Sequence, residues 1–154
     1  MDNFDHQILT ILQRDASIAL KDLAEAVNLT STPCWKRVKK LEDEGYIRSR
    51  VALLDAERVG LGLSVFVQIK TQRHESGWLE KFARTVSQFD EVMEFYRMSG
   101  EWDYMLRVVV SDIAAYDRFY KKLIGSTEGL VDISSNFAME QIKYTTALPL
   151  SLGR

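Results

Sequence analysis

The sequence predicts an α+β chain built from two unlike halves, residues 1–62 and 63–154. Before Gly45, apolar residues recur at helical spacing in three successive runs. From Leu63 onward, alternating strand-like runs trade places with helical stripes. Glycines at 60 and 62 mark the boundary between the two patterns.

In the first half, Phe4, Ile8, Leu9, Ile11 and Leu12 form a helical stripe, and Asp2 and Asp5 lie near its start, where a helix favours carboxylates. "SIALKDLAEAV" follows, with Leu20, Leu23, Ala24 and Val27 on one face, and "NLTS" interrupts it as a turn. The third helix is "TPCWKRVKKLEDEG". Ser31 or Thr32 can cap it, Pro33 suits its first turn, and Gly45 is placed to end it. Tyr46–Arg50 and Val51–Leu54 read as short extended segments. Three helices and a small β element make a winged helix-turn-helix pattern.

In the second half, "LSVFVQIK" alternates, with Leu63, Val65, Val67 and Ile69 on one face. A helical stripe at Trp78, Leu79, Phe82, Val86 and Phe89 comes next. The strand-like runs "EVMEFYRMS" and "YMLRVVV" flank "GEWD", and helical spacing returns at Ile113, Tyr116, Phe119, Tyr120 and Leu123. "LVDISSNFAMEQIKYTT" reads as a long last strand, and "ALPLSLGR" as a loosely held tail. The order β-α-β-β-α-β is the ferredoxin-like arrangement, an antiparallel sheet with helices on one face. Strict alternation would put Phe66, Met93, Phe95, Met105 and Val109 on the other face. A soluble monomer rarely leaves such an apolar patch bare, so sheet-to-sheet dimerisation is expected.

The bulk properties exclude several classes. With 20 Lys and Arg against 22 Asp and Glu, no overall field attracts a polyanion, and any nucleic-acid contact must be local. The single cysteine, Cys34, cannot form an intrachain disulfide, which fits a reducing cytoplasm. No apolar run reaches the length of a membrane span, and the N-terminus lacks the basic start of a signal peptide. His6 and His74 have no partners at metal-ligand spacing, and no phosphate-binding glycine loop or G-x-S-x-G is present. A soluble, cytoplasmic protein with no catalytic residues, metal or cofactor is expected.

Positive charge is concentrated at Lys36, Arg37, Lys39 and Lys40, followed at once by Glu42, Asp43 and Glu44. Such a run has two readings. Lys39–Asp43 and Lys40–Glu44 could be ordinary i,i+4 pairs on a solvated face. Alternatively, a helix that buries Cys34, Val38 and Leu41 can lie in a DNA major groove with its cations outward. The capped helix, the preceding helix-turn and the basic wing favour the second. Ser31, Thr32 and Pro33 would then enter the groove first. Lys36, Arg37, Lys39 and Lys40 would meet phosphates or guanine edges, and Arg48 and Arg50 neighbouring phosphates. Trp35 fits packing within the domain better than contact with DNA.

"DNFDHQILTILQRDA", "LKDLAEAVNLTSTPCWKRVKKLEDEGYI" and "GEWDYMLRV" resemble the leucine-responsive/asparagine-responsive (Lrp/AsnC) regulators over residues 2–148. "TPCWKRVKKLE" with "FAMEQIKYTTALPL" is similar to a subgroup that includes cysteine-responsive members. The resemblance implies a DNA-binding head joined to a ferredoxin-like domain for effector binding and oligomerisation. It implies homodimers that assemble further, often to octamers, with an amino acid bound between dimers. The family's Gly-x-x-Asp matches Gly100 and Asp103, with Trp102 between them. Asp103 would accept hydrogen bonds from an α-ammonium group. The same residues also suit a plain hairpin turn. Tyr96, Arg97 and Met98, with Ser134, Ser135 and Asn136, would face the same cleft. Arg97 could grip the ligand carboxylate, or pair instead with Glu94 or Asp103. The expected partners are therefore double-stranded DNA, an amino-acid effector and further copies of the chain. The competing reading is an architectural DNA-binding protein with little effector response.

Overall fold

The computed structural model describes residues 1–153. These form two compact units, Met1–Leu53 together with the stretch from Ile142, and Leu54–Gln141.

In the first unit, α1 (Asn3–Leu12) starts at Asp2, whose side chain accepts from the Asp5 N–H while Asp5 accepts from the Asp2 N–H, a reciprocal cap. α2 (Leu20–Ala26) stops where Asn28 adopts φ +58. There the Leu29 N–H reaches the Ala24 carbonyl and the Asn28 N–H that of Glu25, which satisfies two C-terminal acceptors and turns the chain. α3 (Ser31–Asp43) is capped by the Thr30 backbone without a side-chain bond, rather than by Ser31 or Thr32, which are its first helical residues. Gly45, at φ +80, ends it with the paired bonds Tyr46 N–H to Leu41 and Gly45 N–H to Glu42. Ile8, Leu12, Leu23, Ala24, Val27, Cys34, Val38 and Leu41 make the core.

Two expectations fail beyond α3. Tyr46–Arg50 and Val51–Leu54 are irregular, with no ladder bonds among the described residues. The two runs are consecutive with no turn between them, so they cannot pair with each other, and the unit offers no other strand. The C-terminal stretch is not a loose tail either. The Gln13 amide donates to the Leu148 carbonyl (2.9 Å) and accepts from the Leu148 N–H (2.7 Å), and a short 3-10 turn follows at Leu150–Leu152.

The second unit runs β1 (Leu63–Thr71), α4 (Ser76–Ser87), β2 (Val92–Arg97), β3 (Tyr104–Val110), α5 (Ile113–Ser126) and β4 (Leu130–Phe137). The strands pair antiparallel in the order β2-β3-β1-β4, the ferredoxin-like topology read from the sequence. Val65, Val67, Ile69, Leu106 and Val108 point at Phe82 and Val86 of α4 and at Phe119 and Leu123 of α5. Phe82 meets Trp78, Phe95 and Tyr104 at ring distances of 4.9, 5.5 and 5.0 Å.

Phe95 corrects the sequence reading. A bulge between Val92 and Glu94 inserts a residue into β2, so Val92 stands opposite Val108 and Phe95 opposite Leu106. Both therefore face the helices, and Glu94 and Tyr96 occupy the open face instead. β4 also stops earlier than predicted. Its last ladder bond, from the Ala138 N–H to the Ser64 carbonyl, lies where β1 begins, and beyond it the chain has no partner strand.

Candidate DNA interface and ligand site

Each residue of an α-helix turns roughly 100° about the axis. With Cys34, Val38 and Leu41 buried, Thr32, Lys36, Lys39 and Lys40 fall on the outward side of α3, and all are exposed. Ser31 and Pro33 stand beside them in the first turn, also exposed. Lys36 has no ion pair among the described residues. Lys39 bonds Asp43 at 2.9 Å, which pushes its pKa up, and Lys40 lies a looser 3.7 Å from Glu44. Exposed pairs of this kind are worth roughly 0–1 kcal/mol, so neither holds its lysine against a phosphate. The i,i+4 pairs and an outward cationic face coexist.

Arg37 departs from that arrangement. It lies on the flank of α3 that meets α1, where its guanidinium contacts Asp2 at 2.7 Å and Asp5 at 3.1 Å and lies 5.0 Å from the centre of the Phe4 ring. The Asp5 N–H, then Arg37, holds the Asp2 carboxyl below its ordinary range, and Asp2 raises Arg37 in turn. Trp35 lies on the opposite flank and is 53% exposed, so it is not the packed residue expected. It lines a shallow groove with Ile18, Leu20, Lys39, Glu42 and Arg50. Arg48 is exposed, and Arg50 bonds Glu42 at 2.9 Å. Burial pushes the Cys34 thiol pKa up, away from reactive thiolate.

The second unit does not gather its candidate ligand residues into one cleft. Tyr96, Met105, Gln68 and Ser134 form a row across the open face, one residue from each strand. Tyr96 and Ser134 thus stand on opposite edges, three strand spacings or roughly 14 Å apart. Tyr96 donates to Glu94 (2.7 Å), which also pairs with Arg107 (2.5 Å), and these two partners lower the Glu94 pKa. Asn136 shares the open face with Ser134, donating to its hydroxyl at 3.3 Å. Ser135 points the other way and bonds the Tyr116 hydroxyl beneath the sheet, because alternation allows no other outcome. Arg97 stands opposite Tyr104, out of phase with Tyr96, and pairs with neither Glu94 nor Asp103 among the described residues.

The turn at 98–103 is closed by the Met98 N–H donating to the Asp103 carbonyl at 2.8 Å. Gly100 takes φ +105 with open space where a Cβ would stand. The Asp103 carboxylate accepts from the Thr71 N–H at 2.9 Å, which ties the turn to the end of β1. Lys70 was not singled out from the sequence. Its ammonium bonds Glu101 at 3.1 Å, lies 4.9 Å from the centre of the Trp102 ring, and its backbone stands opposite Asp132. The alternation of β1 could have found it, since Phe66, Gln68 and Lys70 share the open face. Lys70, Gly100, Glu101, Trp102 and Asp103 therefore form a polar cluster at one end of the sheet, with both signs of charge. Among the described residues, no three His, Cys, Asp or Glu are placed to hold a metal ion, and no helix is long and apolar enough to cross a membrane.

Comparison with known proteins follows the same division. Residues 1–48 match the family described as winged helix-turn-helix DNA-binding, and residues 64–148 the Lrp/AsnC ligand binding domain. The chain is 55% identical to the DNA-binding transcriptional activator DecR of Escherichia coli K12, over 97% of this chain and 99% of that protein. The crystal structure of an AsnC family transcriptional regulator from Agrobacterium tumefaciens is similar at a TM-score of 0.96 and 57% identity, covering 99% of each chain. A transcriptional regulator of Neisseria meningitidis, solved in complex with L-Met, is similar at 0.93 and 36% identity over 100% of this chain and 99% of that one.

Proposed function

The chain belongs to the Lrp/AsnC family of DNA-binding transcriptional regulators, and from that premise we propose which surfaces do the work. The first unit binds operator DNA through α3. Ser31, Thr32 and Pro33 enter the major groove, Lys36, Lys39 and Lys40 meet phosphates or guanine edges, and Arg48 and Arg50 reach flanking phosphates. The observation that carries this is the outward face of α3, where Lys36 is unpaired among the described residues and the neighbouring lysines are held only by exposed pairs. This is regulation, not catalysis.

The second unit takes a small amino acid at the cluster formed by Lys70, Gly100, Glu101, Trp102 and Asp103. One cation and two carboxylates side by side suit a zwitterion, Lys70 facing its carboxylate and the acidic groups its ammonium. Tyr96 and Ser134 lie too far apart to grip one small ligand within a single sheet, so the remaining contacts come from another copy of the chain. Dimers form through the open sheet faces, where Phe66, Met93 and Tyr96 are exposed, and assemble further to an octamer in the cytoplasm. Cysteine and methionine are the first effectors to try, the second because the Neisseria relative was solved with L-Met.

The test is titration of the protein into DNA from its own upstream region with excess competitor, alone and with each amino acid. A saturable, competitor-resistant complex that one amino acid shifts is the expected result. Loss of all binding to competitor would instead make the protein an architectural DNA binder.

A further inference from the structure

We infer that Arg37, although carried by the DNA-facing helix, is a positioning residue. It sets the angle of α3 against α1 and does not touch DNA. The inference rests on the assignment of α3 as the DNA-facing helix.

Three contacts hold its guanidinium. Asp2 accepts at 2.7 Å, Asp5 at 3.1 Å, and the Phe4 ring lies 5.0 Å below it. All three partners belong to the first turn of α1 or its cap. The two carboxylates are themselves fixed by the reciprocal cap, so the guanidinium binds a preorganised acidic pair rather than one mobile side chain. One terminal nitrogen, Nη1, donates to both carboxylates, and the flat face of the guanidinium lies over the ring, a stacking an ammonium does not offer. Arg37 is the least exposed of the four cations in the run, at 31% of its side chain against 52% for Lys39 and 71% for Lys40. On the helical wheel it lies well off the outward direction. Reaching a phosphate would mean breaking both ion pairs and leaving two carboxylates unpaired beside the DNA backbone.

The consequence is mechanical. The core contacts of α3 are Cys34, Val38 and Leu41, all apolar and non-directional. Such contacts fix depth well and rotation about the helix axis poorly. The two Nη1 hydrogen bonds of Arg37 supply the missing directional constraint on the first half of α3, where Ser31, Thr32, Pro33 and Lys36 must meet the groove in register.

The test compares Arg37→Gln, the double variant Asp2→Asn/Asp5→Asn, their combination and Lys36→Ala in the full-length protein. Operator and non-specific DNA affinities are measured across a salt series, well below each variant's Tm. Asn keeps a capping oxygen at position 2 while removing its charge, so α1 still starts correctly. A positioning role predicts that Arg37→Gln weakens operator binding on the order of tenfold, the scale of one lost base contact. Non-specific binding and the salt slope stay as in the wild type, the aspartate variant behaves likewise, and the combination adds little. Arg37→Lys recovers part of the loss. Lys36→Ala weakens operator binding, and lowers the slope by about 1 where the lost contact is to a phosphate. A slope reduced by Arg37→Gln as well would overturn the inference and make Arg37 a DNA contact. Unchanged operator affinity in Arg37→Gln would overturn it too, leaving only a stabilising pair. Operator affinity unmoved by Lys36→Ala would overturn the α3 assignment and the inference with it.

Discussion

The two units treat their polar side chains in opposite ways. On α3, Lys36, Lys39 and Lys40 face outward and are held by weak exposed pairs or by none. In the second unit, polar groups are already engaged within the fold. Asp103 takes the Thr71 N–H, Ser135 takes Tyr116, Lys70 sits between Glu101 and Trp102, and Glu94 bridges Tyr96 and Arg107. A surface built to meet a polyanion can leave its charges solvated, because DNA supplies the counter-charge on arrival. A site for a small zwitterion must hold its donors and acceptors in place beforehand, since loose side chains would cost affinity on ordering.

This difference sets the expected consequences of mutation. The largest stability effect is predicted for Asp103→Ala, which leaves the half-buried Thr71 N–H without its acceptor and costs about 1–3 kcal/mol. Thermal or denaturant unfolding measures it. The matched change Lys36→Ala should alter stability by no more than about 0.5 kcal/mol. Comparable losses for both would break the contrast. Gly100→Ala comes next, at about 1–2 kcal/mol. Its cost is conformational, since φ is +105 and nothing beyond its chain neighbours lies within 4 Å of where a Cβ would stand. A Gly100→Asn variant that unfolded less readily than Gly100→Ala would confirm that backbone strain and not crowding is responsible.

The smallest effect is in pH. The Tyr96 hydroxyl and then Arg107 lower the Glu94 pKa below its ordinary 4.5. A depressed carboxyl stabilises the fold fully above its unfolded pKa and loses that contribution as pH falls through the folded value. Stability should therefore decline below about pH 4.5, and Glu94→Gln should flatten part of that decline. Glu94 is substantially exposed, so the change is small. A decline identical in the variant would remove Glu94 from the account.

What the sequence disclosed tracks the range of the interactions involved. The buried stripe of α3, its stop at Gly45 and the outward lysines depend on residues within a turn or two, and all were readable. The strand order was readable too, because period changes are strong signals. Phe95 was misplaced because a single inserted residue in β2 reverses every later side chain, and no local pattern announces it. The pairing of Arg37 with α1 was hidden for a similar reason. Its partners are more than thirty positions away, and a cation beside other cations looks like one of the set. Tyr96 and Ser134 do not meet because the sheet order puts β2 and β4 on opposite edges, a long-range arrangement that neither strand's own residues show. Alternation alone could have separated Ser135 from Ser134 and Asn136. The wing segments needed a ladder partner, and extended-looking residues cannot show whether one exists.

The most direct test of the account is reciprocal coupling between the two units. Operator affinity would be measured by fluorescence anisotropy with and without a saturating amino acid, and amino-acid affinity by calorimetry with and without operator. The account predicts that one small amino acid changes operator affinity by some factor, and that operator changes affinity for that amino acid by the same factor. An amino acid that binds tightly yet leaves operator affinity and assembly state untouched would contradict it.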